Sequence, residues 1–364
     1  MLYITFNDQR KTFFPQQEVN GFINLNVTSE IRISSIIICL SGVGVLQNND
    51  KDNKHETYFD KVAYIFNSEG MDDVKKHMNV GKHSFPFKFV LPQNIPASFE
   101  SPNGFVRYSV TAYMDKGDCG LQSAVAFFTV NDILDLNEIP KCRKPRTYWA
   151  QQDGRRLFCF KCRSISAVLN IPRRGFVSGE KILINAEINN LRSKPISYVK
   201  ATLVQVIKYN HKTGHRKIKR IVAEVLRGSV MPYESQVWKE EPLHIPPVAA
   251  SKLVHCSLMD IRYILYLQVC SPKMATGKTI KLLKVPVIIG TVPLRQQQQQ
   301  QELEEDKGGP LLSGTSLPAP ISEPCVFGPY SITDVYGQDG VQITFTPLYA
   351  TYSVRRDRVL ELDN

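Results

Sequence analysis

The sequence predicts an all-β protein, built as two tandem antiparallel β-sandwiches followed by a flexible C-terminal tail. Three observations predict it. Apolar residues recur with a period of two through most of residues 1–295, turn-forming clusters interrupt these runs at short intervals, and no stretch before residue 296 sustains a helical period. A period of two puts successive side chains on opposite faces of a strand, so each run buries one face. Many short strands joined by tight turns pack as sandwiches.

The elements follow in chain order. Phe13-Phe14-Pro15-Gln16-Gln17 reads as an aromatic and a tight turn leading into the alternating strand that begins near Val19. Ile36-Ile37-Ile38-Cys39-Leu40 is the longest apolar run, far short of the ~20 residues a membrane helix needs, and reads as a buried strand. Asn48-Asn49-Asp50 is a turn, and Gly70–Asn79 holds at most one or two helical turns. Phe85, Phe87, Phe89 and Leu91 then share one strand face, and after the turn Ser101-Pro102-Asn103-Gly104 so do Val106, Tyr108, Val110, Ala112 and Met114. Beyond residue 145 the pattern returns with Ile182, Ile184, Ala186 and Ile188, the turn Lys212-Thr213-Gly214, the face Ile261, Tyr263, Leu265, Leu267 and Val269, and the turn Ala275–Lys278.

The two halves repeat. Phe13–Gly21 aligns with Phe176–Ile182, and Val106-Arg107-Tyr108-Ser109-Val110 with Ile261-Arg262-Tyr263-Ile264-Leu265. A proline-rich connection lies between the paired motifs in both: Leu91-Pro92 with Pro96, and Pro242 with Pro246-Pro247. The polar segment Asp132–Pro140 joins the halves. This sets domains at 1–130 and 145–295, a linker at 131–144 and a tail at 296–364. The tail opens with Gln296–Gln301, Glu302-Leu303-Glu304-Glu305-Asp306 and a Gly/Ser/Pro stretch that cannot bury a core. Its last forty residues regain aromatics, among them Phe327, Tyr330, Phe345, Tyr349 and Tyr352, which either dock back onto a sheet or present short motifs.

Composition narrows the class. The 364 residues suit about two domains. The N-terminus lacks a secretory signal, so the eight cysteines are expected to be reduced thiols and the chain cytoplasmic, peripherally associated with membranes. Motifs for catalysis fall short: His55-Glu56-Thr57-Tyr58-Phe59 has Phe where a zinc helix needs its second His, Gly277-Lys278-Thr279 has Pro272 where a phosphate loop needs glycine, and Gly42-Val43-Gly44 lacks a third glycine. Cys159-Phe160-Lys161-Cys162 has no second pair. The expectation is a non-enzymatic protein without metal or cofactor.

Charge is the chemistry that stands out, with 45 Lys and Arg against 34 Asp and Glu and a net charge of +11. Lys208, Lys212, Arg216, Lys217, Lys219 and Arg220 crowd a segment without an acid, read as a hairpin tip that contacts lipid headgroups or phosphate. Arg10 and Lys11 form a smaller candidate for the same contact. A second cluster, Lys141, Arg143, Lys144, Arg146, Arg155, Arg156, Lys161 and Arg163, covers the linker. Nucleic acid is not expected as a partner, because residues 211–220 carry no aromatic for base stacking.

Together these residues resemble the arrestin fold, and specifically the alpha-arrestins. Phe13–Gly21 is similar to that family's opening motif. Gly81–Phe89, Leu91-Pro92, Pro96–Glu100 and Gly104-Phe105-Val106-Arg107-Tyr108 follow its most distinctive block, Leu134–Pro140 resembles its interdomain signature, and Gly175–Glu180 resembles the start of its second domain. The resemblance implies two arrestin-type sandwiches and an adaptor that binds cytoplasmic parts of membrane proteins and meets trafficking machinery. Two departures matter. Gln16 and Gln17 stand where the family has Gly-Glu. The Pro-Pro-x-Tyr motifs with which alpha-arrestins bind the WW domains of HECT-type ubiquitin ligases are missing, the nearest match being Thr346-Pro347-Leu348-Tyr349. Ligase recruitment through this degenerate motif is the alternative reading. Leu311-Leu312 and Tyr330–Thr333 do not complete a dileucine or tyrosine sorting signal.

Overall fold

The computed structural model describes residues 1–47, 53–67, 76–117, 120–152, 164–211, 214–270, 279–295, 320–332 and 343–352. The first sandwich contains β1 (Leu2–Phe6), β2 (Thr12–Phe13), β3 (Glu18–Val27), β4 (Ile31–Ile33), β5 (Ser35–Leu46), β6 (Lys54–Asn67), β7 (Lys76–Met78), β8 (Gly81–Val90), β9 (Phe99–Ser101), β10 (Gly104–Asp115) and β11 (Leu121–Val130). One sheet runs β1-β3-β8 and the facing sheet β2-β11-β10-β5-β6, with β9 beside β10. The run Ile36–Leu40 is the buried strand it resembles, with Ile36, Ile38 and Leu40 turned inward. Part of the segment read as a helical turn is instead β7, paired with β4.

The second sandwich contains β12 (Arg146–Gln152), β13 (Ile165–Ile171), β14 (Gly175–Val177), β15 (Lys181–Asn190), β16 (Tyr198–His211), β17 (Gly214–Arg227), β18 (Ser235–His244), β19 (Met259–Cys270) and β20 (Thr279–Gly290). Its sheets run β12-β13-β15-β18 and β14-β20-β19-β16-β17. Between the sandwiches the chain makes 3-10 turns at Leu136–Glu138 and Pro140–Cys142, and the fully buried Leu136 packs where a side chain at Gly290 would collide with it.

The duplication extends to single hydrogen bonds. Tyr108 is fully buried and donates its hydroxyl to the Pro96 carbonyl at 2.6 Å, and Tyr263 does the same to Ala249 at 2.6 Å. Ser98 Oγ accepts the Val130 N–H at 2.9 Å, and Ser251 Oγ accepts that of Ile289 at 2.8 Å. Short β2 runs parallel to β11 as β14 does to β20. Each buried tyrosine thus ties the proline-rich connection to its own sheet and satisfies one of that connection's carbonyls. Gly42 follows from the same packing: a Cβ there would lie 2.5 Å from the Tyr108 ring, so a small residue is needed for the tyrosine rather than for a nucleotide.

The tail differs from expectation. It contributes β21 (Ile321–Pro324), β22 (Tyr330–Ile332), β23 (Ile343–Phe345) and β24 (Leu348–Thr351), paired β21 with β24 and β22 with β23. Flexibility along all of 296–364 therefore does not hold for residues 320–332 and 343–352. Their apolar side chains have two preformed sandwiches to pack against, which a composition count over the tail does not register. Residues 296–319 lie outside the described residues.

Candidate functional site

The tail strands lie between the sandwiches and bond to both. On the first sandwich the Leu348 N–H donates to Thr129 Oγ1 at 3.1 Å, Asn131 Nδ2 donates to the Leu348 carbonyl at 3.1 Å, and the buried Tyr349 hydroxyl donates to the Ser98 carbonyl at 3.0 Å. Phe345 packs on Phe127 with ring centroids 5.5 Å apart. On the second, the Tyr352 N–H donates to the Ser178 carbonyl at 2.9 Å, its hydroxyl to Thr291 at 2.8 Å, and the Val326 N–H to Pro247 at 3.0 Å. Gly179, at φ 91°, leaves room for this crossing, since a Cβ there would stand 2.2 Å from the Tyr352 carbonyl oxygen. The tail is a staple across the domain joint.

Arg220 is the polar centre of the joint. Its Nε and Nη2 donate to Gln205 Oε1 at 3.0 and 2.6 Å, Nη2 also to the Glu100 carbonyl at 3.1 Å, and Nη1 to the Tyr330 hydroxyl at 2.8 Å. The guanidinium lies 4.0 Å from the Phe327 ring centroid and 5.5 Å from that of Phe99. One side chain therefore gathers the first sandwich, the second and the tail. The adjacent Glu100 carboxylate is buried and engaged by Arg107 at 2.5 and 2.9 Å; burial pushes its pKa up against the pull of Arg107 and Arg220. Burial likewise pushes the Tyr330 phenol up to about 12, so it remains a neutral hydrogen-bonding group.

The basic hairpin separates into two faces. In β17, Lys217 and Lys219 stand opposite Lys208 and Val206 of β16, whereas Arg216 and Arg220 stand opposite the buried Tyr209 and Gln205. Alternation along the strands sends Lys208, Lys217 and Lys219 to the outer face and Arg216 and Arg220 to the inner one. Arg220, expected as an exposed anion contact, is instead committed to the joint, because its parity matches the core residues Ile218 and Val222. Lys212 lies outside the described residues. Lys208 and Lys217 are direct cross-strand neighbours of like charge, and none of the three outer lysines forms an ion pair among the described residues. Lys219 Nζ sits 5.8 Å from the Tyr266 ring, above the small apolar cluster of Val204, Val206 and Tyr266. Arg10 and Lys11 belong to the β1–β2 turn of the first sandwich, with Arg10 held to Asp8 at 3.3 Å, so they do not join the hairpin set.

The degenerate motif Thr346–Tyr349 is folded into β24 and the loop before it. A WW groove grips exposed, extended proline and tyrosine, but Tyr349 is 5% exposed and Thr346 packs against Gly328. The motif is not presented in this conformation. Among the described residues no group of three or more His, Cys, Asp or Glu is placed to hold a metal, and no helix is long and apolar enough to cross a membrane. His55–Phe59 lies in β6; Cys159, Cys162 and Gly277–Thr279 are outside the described residues or at their limit.

Comparison with known proteins places these features in a family. Residues 2–137 match the arrestin (or S-antigen) N-terminal domain, and residues 163–294 the arrestin (or S-antigen) C-terminal domain. The chain is 28% identical over 360 residues to arrestin domain-containing protein 17 of Caenorhabditis elegans, covering 92% of this chain and 82% of that protein. It is 26% identical over 361 residues to arrestin domain-containing protein 1 of Homo sapiens, covering 96% and 79%, and 29% identical over 214 residues to arrestin domain-containing protein 4 of Mus musculus, covering 58% and 50%. Two arrestin domains in order, the repeated tyrosine ties and these relatives agree: the chain belongs to the alpha-arrestin family.

Proposed function

We propose that the protein is a non-enzymatic cytoplasmic adaptor that binds the cytoplasmic parts of membrane proteins, meets trafficking machinery at the membrane and directs sorting and transport. Membership in the family supports the class. One observation carries the mode of contact: the outer lysines Lys208, Lys217 and Lys219 stand together, and Asp260, opposite Lys208 on β19, is paired with Arg262 rather than with any of them. Like charges directly across a sheet disfavour each other, and an anionic group on a cargo segment relieves that repulsion. Arg216, at the hairpin end, extends the cationic surface toward the inner side.

The test is crosslinked affinity capture from cells with the full chain and a Lys208→Gln/Lys217→Gln/Lys219→Gln variant, with folding checked by thermal melting. Membrane proteins recovered with the full chain and depleted in the variant are expected. Equal recovery removes the hairpin from cargo binding, and no recovery of membrane proteins overturns the adaptor reading. The alternative, recruitment of a HECT-type ligase through Thr346–Tyr349, is disfavoured by the burial of Tyr349.

A further inference from the structure

The edge strand β12 carries a surface that neither the hairpin nor the tail uses. Trp149 is 66% exposed on this strand, whereas the chain's other tryptophan, Trp238, is 4% exposed and donates its indole N–H to Gln236. The register Trp149–Val168–Glu187–Val237 crosses the outer face of the sheet, and Val237 at its far end is 59% exposed. Rows of Thr147–Asn170 and Gln151–Ser166 flank the tryptophan, so the indole stands from a polar surface instead of lining a groove.

Positive charge collects where β12 begins. The Arg174 N–H donates to the Cys142 carbonyl at 2.9 Å, and Arg146 pairs in register with Ile171. These two contacts bring Lys141, Arg143, Lys144 and Arg146 of the linker end together with Arg173 and Arg174 of the β13–β14 turn. Of the nearby acids, Glu180 is already paired with Arg173 at 2.9 Å. Lys141, Lys144 and Arg146 form no ion pair among the described residues.

We propose that this end of β12 is a contact for an anionic lipid surface, with Trp149 seated among the headgroups and Lys141 and Lys144, just before the strand, facing their charge; Arg146 shares its parity with the inward Tyr148 and Ala150 and is not part of the contact. An indole joins an apolar body to an N–H donor, which suits it to the boundary between hydrocarbon and water. Clustered cations beside it select anionic over neutral lipid. β12 borders β20 while β17 borders β18 at the other side of the sandwich, so this contact is distinct from the basic hairpin. It also stands apart from the cargo reading, because bare vesicles carry no cargo.

The experiment uses the full chain with phosphatidylcholine vesicles with or without phosphatidylserine, read by co-sedimentation and tryptophan emission. Binding to the anionic vesicles alone, a blue shift in emission and quenching by brominated lipid are expected. Trp149→Phe should abolish the shift and quenching while Trp238 continues to report the fold. Lys141→Gln/Lys144→Gln should lower partitioning about tenfold, following the per-cation attraction to anionic membranes. Binding with unchanged Trp149 emission overturns the proposal, as does absence of binding. Binding lost in Lys208→Gln/Lys217→Gln/Lys219→Gln but retained in Lys141→Gln/Lys144→Gln assigns the contact to the opposite edge and also overturns it.

Discussion

Gln16 occupies the left-handed region at φ 68°, where the second half of the molecule has Gly179 at φ 91°. The next residue matches more closely. Gln17 Oε1 accepts the Phe14 N–H at 2.9 Å, as Glu180 Oε2 accepts that of Val177 at 2.9 Å. Replacing the family's Gly-Glu with Gln-Gln therefore keeps the turn's hydrogen bond and places a side chain in a conformation that glycine adopts without penalty. Gln16→Gly should stabilise the first sandwich by about 1 kcal/mol, somewhat less after glycine's larger unfolded-state entropy is counted. Differential scanning calorimetry checks this, and a lower melting temperature would refute the strain argument. The role of Gln17 was legible from its alignment with Glu180. Arg220 was not, because a list of cations carries no face. Ile218 and Val222 share its parity, and that alternation was the available signal.

At the scale of elements, long strands announced themselves and the tail strands did not. β10 and β19 each run 12 residues with alternating or continuous burial, so their period survives in the sequence. β22, β23 and β24 have three, three and four residues, too few to establish a period, and their order comes from the sandwiches they touch. Such an element should fail locally. Tyr349→Ala removes a buried ring and its hydrogen bond to Ser98, a loss on the order of 3 kcal/mol by analogy with other aromatic truncations in cores. The expected result is loss of hydrogen-exchange protection across residues 320–332 and 343–352, with protection of β10 and β19 retained. Unchanged exchange in the tail would show that β24 does not depend on this anchor. A WW domain titrated against the wild-type chain should bind more weakly than against an isolated peptide spanning Thr346–Tyr349. Equal affinity would mean that the staple opens freely.

At the scale of the whole molecule, buried tyrosines tie the parts together, and their ionisation sets an alkaline limit. Burial raises the phenol of Tyr330 from 10.0 to about 12, and it raises those of Tyr108, Tyr263 and Tyr349 further in the same direction. A group whose folded pKa lies above its unfolded value contributes stability that is complete below the unfolded pKa and lost as pH rises through the folded one. These ties should therefore hold fully up to about pH 10 and weaken from there through pH 12 and above. Thermal melts between pH 8 and 12, followed with tyrosinate absorbance, test this. Tyrosinate absorbance that appears before unfolding and is missing from a Tyr330→Phe variant would show that this phenol is not locked in the joint. The two sandwiches were legible in sequence because alternation and duplication are local patterns. The joint was not, because it forms from residues as far apart as Ser98 and Tyr349.

The staple also orders events in time. A ribosome adds roughly 5–20 residues per second, and domains fold as they emerge. Both sandwiches have left it before the Tyr349 anchor and the Tyr352 crossing are made. For several seconds of each molecule's life the crevice between the sandwiches is lined but unfilled, and Arg220 waits for Tyr330. A nascent or truncated chain is thus a pair of finished domains joined only by their direct bonds, such as Tyr209 to Ser101 and Lys54 to Asn210, and the tail adds the Tyr349 and Tyr352 ties last.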